Sequence, residues 1–143
     1  MPRLLIFAPC EKVILDQYGN PSLIAVIQEI VSPLSPDAQL PQNVLGMMRW
    51  DVFTLWQREP GDGDKEFIQD CALIGPGQKA SIQASMTFKV GGKAQRNIMS
   101  LYGFPLASPG EHQLRLWLRE STASEEDRKE IASFPLTVNL KGK

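Results

Sequence analysis

The sequence predicts an all-β protein: an antiparallel β-sandwich of eight or nine strands with Greek-key links, immunoglobulin-like in type. Three observations carry this. Apolar and polar residues alternate with period two along most of the chain, turn residues recur at short intervals, and almost no stretch shows the 3.6-residue period of a helix. The 143 residues make one domain, 1–143, long enough to bury a core without a disulfide or metal.

The first strands are apolar on both sides. Leu4 to Ala8, Val13 to Leu15 and Leu23 to Ile30 are rich in Ile, Val and Leu, and Tyr18-Gly19-Asn20-Pro21 marks an early hairpin. Trp50 to Trp56 puts Val52 and Trp56 on one face, Phe53 and Leu55 on the other. Strands of this kind are central or have their second face covered. Trp50 and Trp56 are therefore assigned to the core.

Later strands alternate cleanly. Residues 66–74 lie between Pro60-Gly61-Asp62-Gly63-Asp64, read as a hairpin turn, and Gly75-Pro76-Gly77. Ile82, Ala84, Met86, Phe88 and Val90 alternate with Gln83, Ser85, Thr87 and Lys89, and Gly91-Gly92 is a two-residue hairpin signal leading into 96–104. After Ser108-Pro109-Gly110, the core-directed set His112, Leu114, Leu116 and Leu118 alternates with Gln113, Arg115, Trp117 and Arg119. Phe134, Leu136, Val138 and Leu140 form the last inward row. Two stretches break the pattern. Residues 32–46, with Pro33, Pro36 and Pro41, form a long connection of the kind that is often functional. Residues 121–130 carry a capping-box pattern at Ser124 and Asp127 that allows one helical turn, but their charge favours a solvated loop.

Composition excludes several functions. Fifteen Lys+Arg against sixteen Asp+Glu give a net charge of −1, which argues against a nucleic-acid binder. No run approaches the roughly 18 apolar residues of a membrane-spanning helix, and the short apolar N-terminus broken by Pro9 and Glu11 is no signal peptide. The expected location is cytoplasmic, where Cys10 and Cys71 are reduced and buried. No membrane partner, metal or cofactor is expected, since two cysteines and one histidine cannot alone complete a zinc site. The acidic turn at Asp62 places Phe67 and Leu73 where a calcium loop of EF-hand type needs Gly and Glu. His112, the one histidine, is read as a structural residue that hydrogen-bonds back to the backbone. The immunoglobulin Cys-Trp-Cys pattern is incomplete, because Gln69 stands where a corner tyrosine would precede Cys71. With no nucleophile elbow or phosphate loop, no catalytic residue is assigned and the protein is not expected to be an enzyme.

The strongest functional candidate is the outward row Arg115, Trp117 and Arg119. An aromatic flanked by two guanidiniums has the composition of a protein–protein hot spot. The same row could stack on a sugar or bind an anionic ligand, or it could simply be a packed and solvated sheet face. The leading expectation is an interaction or assembly module that binds an unknown protein or a second copy of itself through a sheet edge. The alternative is a small-ligand or carbohydrate-binding sandwich with an exposed tryptophan platform.

Cys10-Glu11-Lys12-Val13-Ile14, Asp16, Gly19-Asn20 and Ser22-Leu23-Ile24 lie at one end of the chain. Together with Phe53-Thr54-Leu55-Trp56, Arg96-Asn97 and Gly103-Phe104-Pro105, they resemble a family of short bacterial proteins known only as a domain of unknown function. The resemblance spans nearly the whole chain and implies a stand-alone bacterial domain. Its motifs are strand and turn residues, and it implies no activity and no site.

Overall fold

A computed structural model describes residues 1–35, 37 and 44–140. Residues 36 and 38–43 of the expected connection 32–46, and with them any cover they give Trp117, lie outside the described residues. Nine strands form two sheets among them: β1 (Arg3–Leu15), β2 (Pro21–Val26), β3 (Glu29–Ser32), β4 (Gly46–Gln57), β5 (Glu66–Ile74), β6 (Ala80–Lys89), β7 (Ala94–Phe104), β8 (Gly110–Glu120) and β9 (Lys129–Leu140). The first sheet has the order β2-β1-β4-β7 and the second β3-β9-β8-β5-β6. All pairings are antiparallel except β3 with β9. No helix among the described residues is long and apolar enough to cross a membrane.

The period-two rows become the core as expected. Trp50, Val52 and Trp56 of β4 face Phe67, Cys71 and Leu73 of β5 and Leu114, Leu116 and Leu118 of β8 in one apolar cluster. Each large side chain buried this way contributes about 1.5–3 kcal/mol. Trp56 stacks on Phe88 with ring centroids 5.8 Å apart, and Trp50 meets Phe104 edge-on at 5.3 Å. The Trp50 indole N–H donates to the Gly103 carbonyl at 2.8 Å, so the polar tip of this buried ring is satisfied.

A polar seam joins the sheets at the position where the sequence lacked its immunoglobulin features. The Oε1 of Gln69, on β5, accepts hydrogen bonds from the Thr54 hydroxyl and the Trp56 indole at 2.9 Å each, and from the Asn97 amide at 3.1 Å. Thr54 and Trp56 stand on β4 and Asn97 on β7, so one fully buried amide of the second sheet holds three donors of the first.

Two turns expected to be hairpins are crossovers instead. The glycines at 91 and 92 connect β6 to β7, which belong to different sheets. A two-residue hairpin requires left-handed backbone at its turn, and neither glycine has positive φ. Val90 is drawn into the core just before them, which turns the chain from one sheet to the other. The Asp-Gly segment 60–64 likewise carries β4 of the first sheet to β5 of the second. Its Asp62 is buried, with Oδ2 accepting the Glu59 amide at 2.8 Å. The run 23–30 is also divided: β2 stays with the first sheet, and β3 crosses to pair with β9.

The early hairpin is present and has an unexpected position. β1 pairs with β4 from Arg3 to Cys10, then with β2 from Cys10 to Leu15. Beyond Cys10 the hairpin folds back across the outer side of the first sheet. The Val13 amide donates to Asp51 Oδ2 at 3.0 Å, and the Arg96 guanidinium donates to the Gly19 carbonyl at the hairpin tip. Asp51, Phe53 and Leu55 point away from the core, yet Phe53 is fully buried. The covered second face expected for this strand is thus supplied by the chain's own hairpin. Asp16 fastens the tip, its Oδ1 accepting the Tyr18 and Asn20 amides at 2.8 Å each. These bonds, the Asn20 amide first, hold the Asp16 carboxyl below its usual pKa.

Candidate functional site

The second sheet presents Arg115, Trp117 and Arg119 side by side on the outside of β8, as the alternation requires, and all three are half-buried. Each is already engaged. Arg115 Nε lies 3.6 Å from Glu130 Oε1, and its guanidinium also reaches Gln113 Oε1. Arg119 donates to the Ala123 carbonyl at 2.9 Å and stands 3.8 Å from Asp70 Oδ2. Arg128 lays its guanidinium over the Trp117 ring, 4.2 Å from the centroid. The same Arg128 is 3.6 Å from both Asp70 Oδ2 and Glu125 Oε1.

Two residues that organise this face, Asp70 and Arg128, were not singled out by the sequence. Asp70 sits opposite Trp117 on β5, only 6% exposed, and its Oδ1 accepts the Ser85 hydroxyl. A carboxylate in mid-strand, flanked in the outward phase by Ile68 and Ala72, was the available signal. Arg128 follows a single 3-10 turn, Glu125–Asp127, whose Ser124 hydroxyl bonds Asp127. The stretch 121–130 is largely exposed, as a solvated loop should be, and carries the single turn that the capping-box pattern allowed, while its Arg128 covers part of the tryptophan. A cavity of about 270 Å³ remains beside it, lined by Asp70, Gln83, Ser85, Trp117, Glu125 and Arg128 among others.

His112 is buried, and its Nε2 lies 2.8 Å from the Ser108 carbonyl. A carbonyl only accepts, so Nε2 carries the proton and the ring's role is to tie the 105–110 connection to β8. Its other edge faces Gly75 so closely that a Cβ there would stand 2.7 Å from Cε1 and 2.8 Å from Nδ1.

The two thiols are free and buried. Burial, reinforced by the neighbouring Asp51, pushes Cys10 up to about 11, and burial with Asp70 nearby pushes Cys71 up to about 12. Neither is a thiolate at neutral pH, the form that a nucleophile or metal ligand needs.

The first sheet presents a different surface. Arg49 stands opposite Tyr102, its guanidinium 5.9 Å from the ring centroid, and Met47 precedes Arg49 by two residues on the same strand. Met47 is fully exposed and Tyr102 is 74% exposed. The hairpin adds Ile14, Leu15, Tyr18, Ile24 and Val26, all exposed. Among the described residues, ten of the thirteen exposed large apolar side chains lie on the first sheet, its hairpin or the N-terminal residue, Val44 and Leu45 lie in the crossover from β3 to β4, and only Val31 lies on the second sheet. Sequence alternation did not single out this surface on β1 and β2, because those strands are apolar on both sides.

Compared with known proteins, the chain matches no protein-family model and no curated sequence.

Proposed function

We propose that this protein is a non-enzymatic protein-interaction module whose contact surface is the outer side of the first sheet, around Met47, Arg49, Tyr102 and the β1–β2 hairpin. The observation that carries the reading is the concentration of exposed large apolar side chains on the first sheet, its hairpin and the N-terminal residue, ten of the thirteen among the described residues. Contiguous exposed apolar surface marks interaction sites, and Tyr, Met and Arg are the residue types enriched in them. The partner is another protein or a second copy of this chain, met in the cytoplasm, where two buried thiols remain reduced.

The row Arg115, Trp117 and Arg119 serves in this reading as internal structure, since Glu130, Asp70 and Arg128 occupy its polar and aromatic groups. A tryptophan platform for a sugar has less support: Trp50 and Trp56 are buried, and Arg128 lies over Trp117. The fold is best read as immunoglobulin-like with a hairpin inserted in its first strand. That assignment is supported by a first strand that continues into the opposite sheet as β3, parallel to the last strand, and by the crossovers β4–β5, β6–β7 and β7–β8. The bacterial family resemblance belongs to the same proposal.

The test is a pull-down from native lysate with three baits: wild type, Met47→Ala/Tyr102→Ala, and Arg115→Ala/Trp117→Ala/Arg119→Ala, each checked for folding by circular dichroism. A partner identified by mass spectrometry that is lost only with the first variant supports the reading. Loss only with the second moves the site to the other face, and identical capture by all three removes both.

A further inference from the structure

We infer that the partner segment is an extended, acidic stretch of another protein, added as a strand along the open edge of β7. This rests on the interaction-module reading and specifies its partner.

Charge is the first ground. The strands of the first sheet carry Arg3, Lys12, Arg49 and Arg96 against Glu11 and Asp51. Asp51 is withdrawn from solvent, its two oxygens taken by the Val13 amide and the Ser100 hydroxyl. Arg3 has Glu59 at 4.0 Å. Among the described residues, Lys12, Arg49 and Arg96 have no carboxylate within 4.0 Å. The second sheet is the reverse. Its strands carry Glu29, Glu66, Asp70, Glu111, Glu120 and Glu130 against Lys89, Arg115, Arg119 and Lys129, and both arginines are ion-paired. Unneutralised cations beside apolar side chains complement a partner that brings carboxylates together with apolar groups. A second copy docked face to face would instead set like charges against one another.

The second ground is the edge itself. Among the described residues β7, which runs from Ala94 to Phe104 without proline, pairs only with β4 and keeps an unbroken register from Tyr102↔Arg49 to Ala94↔Gln57, with the left-handed Gly103 (φ 95) lying beyond that stretch. The outer side of this edge strand therefore offers a row of backbone donors and acceptors, the template for strand addition. The other edges differ. β2 begins at Pro21 and has Ala25 at φ 54, and β3 has four residues. β6 is long, but its outward row is Ser81, Gln83, Ser85 and Thr87. Along β7 the outward row is Arg96, Ile98, Ser100 and Tyr102, cationic at one end and aromatic at the other. A strand laid beside it in β geometry places alternate side chains against that row and Arg49.

The experiment uses the full chain and a fluorescent ten-residue peptide in which Glu alternates with Val and Ile. Its controls are the same peptide with Lys for Glu, the Glu peptide N-methylated at alternate backbone amides, and phosphatidylserine vesicles. Anisotropy is expected to show binding of the Glu peptide alone, weakened about tenfold or more by Arg49→Glu. Raising salt from about 0.05 to 0.5 M should weaken it as well. Arg49→Glu is the primary variant because Arg96 also holds the hairpin tip, and its thermal midpoint is measured alongside. Equal binding of the Lys peptide, indifference to N-methylation, binding of vesicles without the peptide, or no binding at all overturns the inference. If the peptide fails while the lysate partner still depends on Met47 and Tyr102, the acidic strand is wrong and the module reading stands.

Discussion

The two outer faces of this sandwich solve the same problem in opposite ways. On the second sheet, every guanidinium near Trp117 has a carboxylate, carbonyl or ring within reach, and one buried aspartate organises the group. On the first sheet the chain covers Phe53 with its own hairpin, but the hairpin carries aliphatic residues on its far side as well. The covering moves the exposed apolar surface outward without removing it. Arg49 and Lys12 are left beside that surface with no carboxylate within 4.0 Å among the described residues. A face that pairs its own charges stabilises the fold, even though Asp70 Oδ2 and Arg119 Nε meet at ion-pair distance without a hydrogen bond, whereas one that leaves its cations unpaired is available for binding.

Both faces share one interior frame, and the hardest blow to that frame falls at Gln69. Gln69→Ala removes the acceptor of three buried donors at once. Each stranded donor costs about 1–3 kcal/mol, so a loss of about 3–5 kcal/mol is expected in urea unfolding. A loss under about 1 kcal/mol would mean that water replaces the amide and the seam is not what holds the sheets.

Asp70→Ala comes next and tests the closed face directly. It leaves Arg119 and Arg128 facing each other with their shared carboxylate gone. Removing one member of a buried ion pair costs about 3–5 kcal/mol, and the partial exposure of both arginines brings the expectation to about 2 kcal/mol. Trp117 should become more accessible to a fluorescence quencher as Arg128 loses its anchor.

How the two faces differ in construction explains what could be read from the sequence. On β8 every second residue is a leucine or the histidine, so the outward position of Arg115, Trp117 and Arg119 follows from period two alone. Their state does not, because Asp70 and Arg128 arrive from 47 and 11 residues away from Trp117 on either side of it, and pairing between strands is not written in local alternation. His112 was legible as an interior group because it falls in phase with the leucines, and Trp50 and Trp56 because their strand is apolar on both faces. The glycines at 91 and 92 misled, since a glycine pair marks a turn but not which sheet the chain enters afterwards. The fold-back at Cys10 had no local sign either. The stretch Cys10 to Leu15 is an ordinary strand, and only the contacts with Asp51 and Gly19 reveal where it lies.

The two buried cysteines divide in the same way, Cys10 at the base of the hairpin on the open face and Cys71 in the core. A thiol whose folded pKa is raised retains its proton while the unfolded chain ionises, so its contribution is intact below the unfolded value. It is then lost as pH climbs toward the folded value. For Cys10 the window runs from 9.0 to about 11, and for Cys71 from 9.0 to about 12. Stability should decline across that range, less steeply in Cys10→Ala. Labelling by a disulfide reagent at pH 8 separates the two sites, with Cys10 expected to react first as the hairpin lifts locally. Simultaneous labelling would show that the hairpin opens only with the whole domain.

The smallest expected change is the most telling for the open face. Met47→Ala, Arg49→Ala and Tyr102→Ala should each alter stability by no more than about 0.5 kcal/mol. Tyr102 is 74% exposed, so truncation opens no cavity, and its contact with Arg49 at 5.9 Å is a surface cation–π pair that contributes about 0.5 kcal/mol at most. The fold thus gains almost nothing from this methionine, arginine and tyrosine. If thermal unfolding shows Tyr102→Ala to be as costly as Asp70→Ala, the side chain belongs to the frame and the two faces are alike. If it is neutral while the bound partner is lost, stability and binding reside on opposite sides of one sandwich.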